Sequence, residues 1–261
     1  MKVLNYMAIT MMAVSLVACD NDDNTNTELT GEGTTRIEFD NSYSGSDLLL
    51  QTTSYSANGT EKIVIDTLKY IVSNIRLETE DGELYTVPKE ASIFIVNEAN
   101  EESRFITIEN VPAADYVKVH YGIGVDQDKY LQGADGQGDF LNQATAQGMM
   151  WSWQAGYKFI RFEGRFTAEA QPEETAFAIH MGSHGSSLDN YKEVTVDLPV
   201  SAKVRTDITP EIHVVADISQ LLSGEGKLYL EEKSQIHVDP DKSPMVATNA
   251  SKMFTVDHVH N

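Results

Sequence analysis

The sequence predicts an all-β protein, a single-domain antiparallel β-sandwich with a few short helices. Segments in which polar and apolar residues alternate recur along most of the chain. This period of two is typical of strands that bury one face. Turn-forming pairs such as Asp81-Gly82 separate the segments, and frequent turns between short strands favour a sandwich.

The predicted strands follow one another through the chain. They cover residues 35–39, 62–65, 68–77, 84–87, 92–96, 104–108, 115–125, 157–164, 175–181, 193–198 and 212–217. Helical patterning is weak, and it predicts only a short helix starting at residue 217 and a turn or two within residues 139–150. The sequence shows no internal repeat, so we expect one domain over residues 33–261.

The first 18 residues resemble a bacterial export signal. Lys2 precedes an apolar run shorter than the roughly 20 residues that a membrane-spanning helix requires. Residues 16–19, Leu-Val-Ala-Cys, resemble the lipobox of lipoproteins, whose cysteine is diacylated and becomes the first mature residue. Cys19 is the only cysteine of the chain. We therefore expect a signal peptide over residues 1–18 and a membrane anchor at Cys19. The alternatives are an ordinary secretory signal followed by an unrelated cysteine, and a buried cytosolic helix.

The segment after Cys19 is polar and acidic. Residues 20–27 contain no apolar side chain that could be buried, so residues 19–32 are expected to form a flexible tether. An acidic run at this position also resembles a surface-export signal, which predicts an outer-membrane lipoprotein facing the periplasm or the cell surface. The net charge of −21 argues against nucleic acid as a partner, because phosphates would repel the chain.

Four segments together resemble the MbnP-type copper-binding family, which is named for a periplasmic partner of the methanobactin system. They are residues 70–77 (Y-I-V-S-N-I-R-L), residues 111–126 with the string Y-G-I-G-V-D, residues 148–159 (G-M-M-W-S-W-Q-A-G-Y-K-F) followed by Glu163-Gly164, and residues 179–185 (I-H-M-G-S-H-G). The resemblance implies a mainly β protein that binds one copper ion through histidines.

In some members of that family a tryptophan oxidised to kynurenine also serves as a ligand, and a di-haem enzyme of the peroxidase type installs the modification. Trp151 and Trp153 are the only tryptophans here, and either is a candidate precursor. The alternative is that both simply pack against the core or its rim. This chain has no histidine in residues 70–77, where some relatives supply a ligand. Either its ligands come from elsewhere in the chain, or the copper site of those relatives has been lost.

Histidine suits copper because a neutral imidazole nitrogen is a good donor for this ion. Two pairs are spaced so that both rings could face one ion: one pair flanks a Gly-Ser turn, and the other is two residues apart in an extended segment. A further histidine precedes the Y-G-I-G-V-D string. The candidate metal ligands are therefore His180, His184, His258, His260 and His120.

The other candidate donors are expected to have structural roles. His213 and His237 are predicted to be ordinary hydrogen-bonded or exposed histidines. Met149, Met150 and Met181 could bind Cu(I) through sulfur, but core packing is the favoured interpretation. Glu163 is expected to accept structural hydrogen bonds.

The predicted function is non-catalytic copper binding outside the cytoplasm, for capture, storage or delivery. The alternative is a metal-free surface module that binds a glycan or a protein, which exposed aromatics such as Tyr130, Tyr191 or Trp151 would favour. An enzyme is disfavoured, because the single cysteine is predicted to be lipidated and no G-x-S-x-G motif is present.

Overall fold

The computed structural model describes residues 29–185 and 187–261, so Cys19, the predicted signal peptide and most of the predicted tether lie outside the described residues. The described chain consists mainly of strands. They are β1 (Glu32–Tyr43), β2 (Ser46–Asp47), β3 (Ser54–Ala57), β4 (Glu61–Thr79), β5 (Leu84–Thr86), β6 (Ile93–Asn97), β7 (Phe105–Pro112), β8 (Ala114–Ile123), β9 (Met150–Ser152), β10 (Gly156–Tyr157), β11 (Ile160–Ala168), β12 (Thr175–Met181), β13 (Lys192–Val204), β14 (Glu211–Asp217), β15 (Gln235–Ile236) and β16 (Phe254–His260).

The strands form two main sheets. Sheet A has the order β16-β14-β1-β2, with β7 also paired to β1. Sheet B has the order β13-β8-β4-β11-β12-β15, and β3, β5 and β6 also pair with β4. Strands β9 and β10 form a separate hairpin. This architecture confirms the predicted all-β sandwich.

The two sheets pack through an aromatic cluster. Phe39 and Phe254 come from sheet A, and Tyr70 and Tyr121 come from sheet B. Their rings meet edge to face with centroids 5.4 to 6.2 Å apart, a favoured aromatic geometry. Residues that alternate with these along the strands therefore point away from the core, which gives each sheet an outer face.

Within the described part of the chain, four short helices accompany the sheets. They are α1 (Gln127–Tyr130), α2 (Phe140–Ala146), α3 (Gln220–Ser223) and α4 (Lys242–Ala250), with single 3-10 turns at Lys89–Ala91, Glu101–Arg104 and Asp135–Gln137. α2 and α3 lie where the sequence predicted helical structure. α4 was not predicted, and Pro244 near its start is tolerated there because the first helical turn needs no backbone N–H donor.

Two details differ from the sequence-based expectation. The pairs β1–β14 and β12–β15 are parallel. The sequence could not predict this, because alternation within a strand does not determine the direction of its neighbour.

The strands predicted at residues 62–65 and 68–77 are one continuous strand, β4. Asp66 sits at a β-bulge, where Thr67 pairs with Glu163 and Ile65 with Gly164, and it forms an ion pair with Arg165 of β11, so the polar residues do not interrupt the strand.

Candidate metal centres

The outer face of sheet B brings two histidines together. His180 lies on β12 between Ile179 and Met181, and the side chains of these two neighbours are buried. β15 runs parallel to β12 and pairs Ile236 with Ile179, so His237, the residue that follows β15, lies beside His180. The two Nδ1 atoms are 2.9 Å apart.

A carboxylate fixes the orientation of the His180 ring. Glu163 on β11 accepts a hydrogen bond from Nε2 of His180 at 2.6 Å, and its two oxygens accept from Nε and Nη2 of Arg161 at 2.8 Å each. Burial raises the pKa of Glu163, but the hydrogen bonds from Arg161 and His180 outweigh burial and lower that pKa to about 2. Glu163 is thus the structural acceptor that the sequence predicted, and it is ionised at neutral pH.

This arrangement leaves Nδ1 of His180 as the ring atom that could bind an ion, in place of its present contact with His237. A ring that donates from Nε2 carries its lone pair on Nδ1, and here Nδ1 faces His237. Burial lowers the pKa of His180, which favours the neutral imidazole that a metal requires. Two nitrogens that share an ion through bonds of about 2 Å can stand no more than about 4 Å apart. The 2.9 Å separation meets this condition, so the two nitrogens could share one ion.

The outer face of sheet A holds a second group of histidines. His213 of β14 pairs with His258 of β16, and their rings stack with centroids 4.6 Å apart. Nε2 of His258 is 2.9 Å from Nε2 of His260. The structure therefore joins the predicted pair His258 and His260, adds His213 to it, and places this group on a different sheet from His180.

The other two predicted ligands lie apart from both groups. His120 on β8 bonds to Glu78 at 2.7 Å and to Thr195 at 2.8 Å, so both of its ring nitrogens already have partners. Nδ1 of His184 bonds to the carbonyl of Ala155 at 3.2 Å, whereas His180 turns toward His237. His180 and His184 thus direct their rings to different partners, and the described structure does not bring the five candidate histidines to one point.

Sequence reasoning missed the positions of His213 and His237. Each position depends on pairing between segments that are distant in the chain. His180 and His237 are 57 residues apart, and His213 and His258 are 45 residues apart by their numbering. The outward orientation of His213 could have been predicted from the sequence. His213 stands between the apolar residues Ile212 and Val214, which are buried, so it had to lie on the outer face of the sheet. His237 follows a strand of only two residues, which leaves no periodicity to interpret.

The tryptophans occupy two different environments. Trp153 stacks on Tyr130 with ring centroids 5.1 Å apart. The ring of Trp151 lies over Gly182, where an added Cβ would stand 3.1 Å from it, and Gly182 is two residues beyond His180. Nε1 of Trp151 is buried without a hydrogen-bond partner among the described residues. Tyr130, Tyr191 and Trp151 are all half-buried, so none of the three is a fully exposed aromatic residue.

The three methionines that could have supplied sulfur ligands are largely enclosed by the core. Met149 and Met181 are fully buried, and Met150 packs against the core with partial exposure. Both buried side chains face the interior and not the histidine groups on the outer faces. They therefore serve as packing residues, which is the role favoured from the sequence.

Two of the quoted sequence segments hold each other in place. Ser73 Oγ donates to the carbonyl of Gly124 at 2.7 Å, and Asn74 donates to Asp126 at 2.8 Å. Burial raises the pKa of Asp126, but the hydrogen bonds from Asn74 and Lys89 outweigh it and lower that pKa overall. Asp126 also caps α1 by accepting from the backbone of Lys129. These contacts give structural roles to the Ser73-Asn74 and Gly124-Val125-Asp126 strings of the quoted segments.

Within residues 29–185 and 187–261, no helix is long and apolar enough to cross a membrane.

Comparisons with known proteins agree with this fold. The sequence model of the MbnP family matches residues 32–241. MbnP from Methylosinus trichosporium has a similar solved structure, with a TM-score of 0.54 and 14% sequence identity over 87% of this chain and 98% of that chain. A search of curated proteins found no match. At this low identity the structural likeness shows a shared fold, whereas the family match covers most of the sequence. The chain therefore belongs to the MbnP family.

Proposed function

We propose that this protein binds copper outside the cytoplasm, without catalysing a reaction, and that it serves in copper capture, storage or delivery. The observation that carries the proposal is the His180–His237 pair, whose Nδ1 atoms face each other at 2.9 Å. Membership of the MbnP family supports copper as the ion, and imidazole nitrogen is a suitable donor for it.

The surroundings of the pair favour metal binding over an ordinary histidine contact. A metal-binding histidine commonly donates its second ring N–H to a carboxylate, which fixes the ring and its tautomer. Glu163 has this position relative to His180, and Arg161 holds Glu163 with two hydrogen bonds. His180 is buried, whereas His237 is exposed, so the pair combines a fixed donor with an accessible one through which an ion can enter and leave.

The proposed location follows from the sequence before the described residues. Cys19 within the Leu-Val-Ala-Cys segment would carry the lipid and hold the domain at the outer membrane, facing the periplasm or the cell surface. Two acyl chains suffice for stable anchoring, since each buried CH₂ contributes about 0.8 kcal/mol. A tethered binding domain at this place suits capture of metal from the surroundings or transfer to a partner.

Oxidation of a tryptophan to kynurenine by a di-haem peroxidase-type partner is a further part of the proposal. Trp151 is the better placed of the two, because it covers Gly182 close to His180, while Trp153 is stacked on Tyr130. Its buried Nε1 has no partner among the described residues.

Copper retention after dialysis tests the proposed site. The purified protein, loaded with Cu(I) or Cu(II) and dialysed, is expected to keep at least one copper ion per chain. His237→Gln removes one donor at an exposed position, so we expect the variant to keep one ion fewer without loss of stability. His120→Gln is the matched control, because His120 lies on the same sheet but bonds to Glu78 and Thr195; it should retain as much copper as the parent.

Two results would overturn the proposal. One is a parent protein that keeps well below one copper ion per chain. The other is equal copper retention by the parent and His237→Gln, which would mean that the ion binds elsewhere.

A further inference from the structure

The geometry points to a second metal site, on the outer face of sheet A, in which His213, Asp257 and His258 bind a divalent ion of the Zn²⁺ type. This inference does not depend on the copper site of sheet B. His258 lies beyond residue 241, where the match to the MbnP family ends, so the family match does not account for the site.

A β-bulge assembles the three residues. His213 pairs with His258, but the next pair along is Val214 with Val256. Asp257 is therefore an extra residue in β16, and both Asp257 and His258 stand opposite His213. Without the bulge, neighbouring residues of a strand would point to opposite faces. The bulge thus places a carboxylate beside two imidazoles.

The distances suit one ion. A single ligand atom from each of His213, Asp257 and His258 lies within 4.8 Å of the other two. Asp257 Oδ2 is 2.8 Å from Nδ1 of His258 and 4.0 Å from Nδ1 of His213. The Nδ1 atom of His213 is buried, and among the described residues it has no hydrogen-bond partner. An ion between these atoms would give that nitrogen the partner it lacks.

The remaining ring nitrogens have partners that would orient the ligands. Nε2 of His258 bonds to His260 at 2.9 Å. Nε2 of His213 lies 3.5 Å from Glu38 and 3.7 Å from Asp40. Each imidazole can therefore direct Nδ1 to the ion while its Nε2 faces an outer partner, as is common for histidines that bind metals. The carboxylates of Glu38 and Asp40 also attract a cation to this face.

The donor set indicates the class of ion. Two imidazoles and one carboxylate are a common set for Zn²⁺ when a fourth position stays open. The side chain of Asp257 is 65% exposed and that of His258 is 41% exposed, so the open position would face solvent. Calcium and magnesium prefer oxygen ligands alone and do not fit.

Zn²⁺ binding measured by equilibrium dialysis tests the inference, with His237→Gln as the parent so that the sheet B pair cannot contribute. We expect this parent to bind one Zn²⁺ per chain. Asp257→Asn and His258→Gln should each weaken binding by about 100-fold or more, because loss of an outer-shell partner alone costs about 10- to 100-fold. Zn²⁺ should also raise the melting temperature of the parent more than that of either variant.

Matched controls separate loss of ligands from general effects. Asp197→Asn removes an exposed carboxylate from β13, and His120→Gln removes a histidine from β8. Both should leave Zn²⁺ binding unchanged. The exposure of Asp257 means that its variant should fold even if His258→Gln does not. The inference is overturned if Asp257→Asn and His258→Gln bind Zn²⁺ like their parent, or if His237→Gln alone abolishes Zn²⁺ binding. Neither outcome decides whether copper binds at His180.

Discussion

Replacement of Gly124 by alanine is expected to lower the free energy of unfolding by about 2–6 kcal/mol. Gly124 has a φ of +105°, a region that residues with a Cβ adopt at a cost of about 1–3 kcal/mol. The added Cβ would also stand 2.2 Å from the ring of Phe159, which is buried in the core. Overpacking of a core costs about 1–3 kcal/mol more.

Urea unfolding measures this loss, since the free energy of unfolding falls linearly with urea concentration. Gly133→Ala is the matched control. Gly133 also has a positive φ, of +78°, but no atom lies within 4 Å of its added Cβ. Its loss should therefore be limited to about 1–2 kcal/mol of backbone strain. Equal losses in the two variants would show that the contact between Gly124 and Phe159 contributes nothing.

Glu163→Gln is expected to weaken copper binding by about 10- to 100-fold, the usual effect of losing the outer-shell partner of a metal-binding histidine. The carboxylate fixes His180 with its proton on Nε2 and its lone pair on Nδ1. A glutamine amide has a donor as well as an acceptor, so it can favour the other tautomer and place the proton on the nitrogen that should face copper. It also leaves Arg161 without its charged partner.

A competition titration against a copper chelator measures this change. Glu174→Gln makes the same substitution at an exposed carboxylate of the same sheet surface, which pairs with Arg165 and not with a histidine. That control should bind copper like the parent. If Glu163→Gln also binds copper like the parent, the carboxylate does not position His180 for the ion.

The strand pattern was predictable because each strand buries one face, so the alternation of Ile37 and Phe39 with polar neighbours is visible in the sequence. The ends of strands were less predictable. β1 extends to Tyr43 and β13 to Val204, because pairing with β2, β14 and β8 continues beyond the alternating core residues. Helix α4 could not be predicted because the apolar residues of Lys242–Ala250 show only a weak helical periodicity.

The candidate sites were predictable in part, for a physical reason. His258 and His260 share a face because they are two residues apart in one strand, and local geometry alone establishes this. The contacts of His180 with His237 and of His258 with His213 depend on which strands are neighbours and in what register. The bulge at Asp257 has no local sequence signature. Pairing between distant strands is set by the packing of the whole fold, so the full ligand sets could be identified only from the structure.

Anomalous diffraction from copper-soaked crystals, recorded at the copper absorption edge, would locate the ion relative to His180 and His237. We expect a copper peak about 2.0–2.1 Å from Nδ1 of His180 and from Nδ1 of His237, the usual length of a bond from imidazole to a metal. A copper peak elsewhere, with these two rings still joined by a direct hydrogen bond, would contradict the proposed copper site.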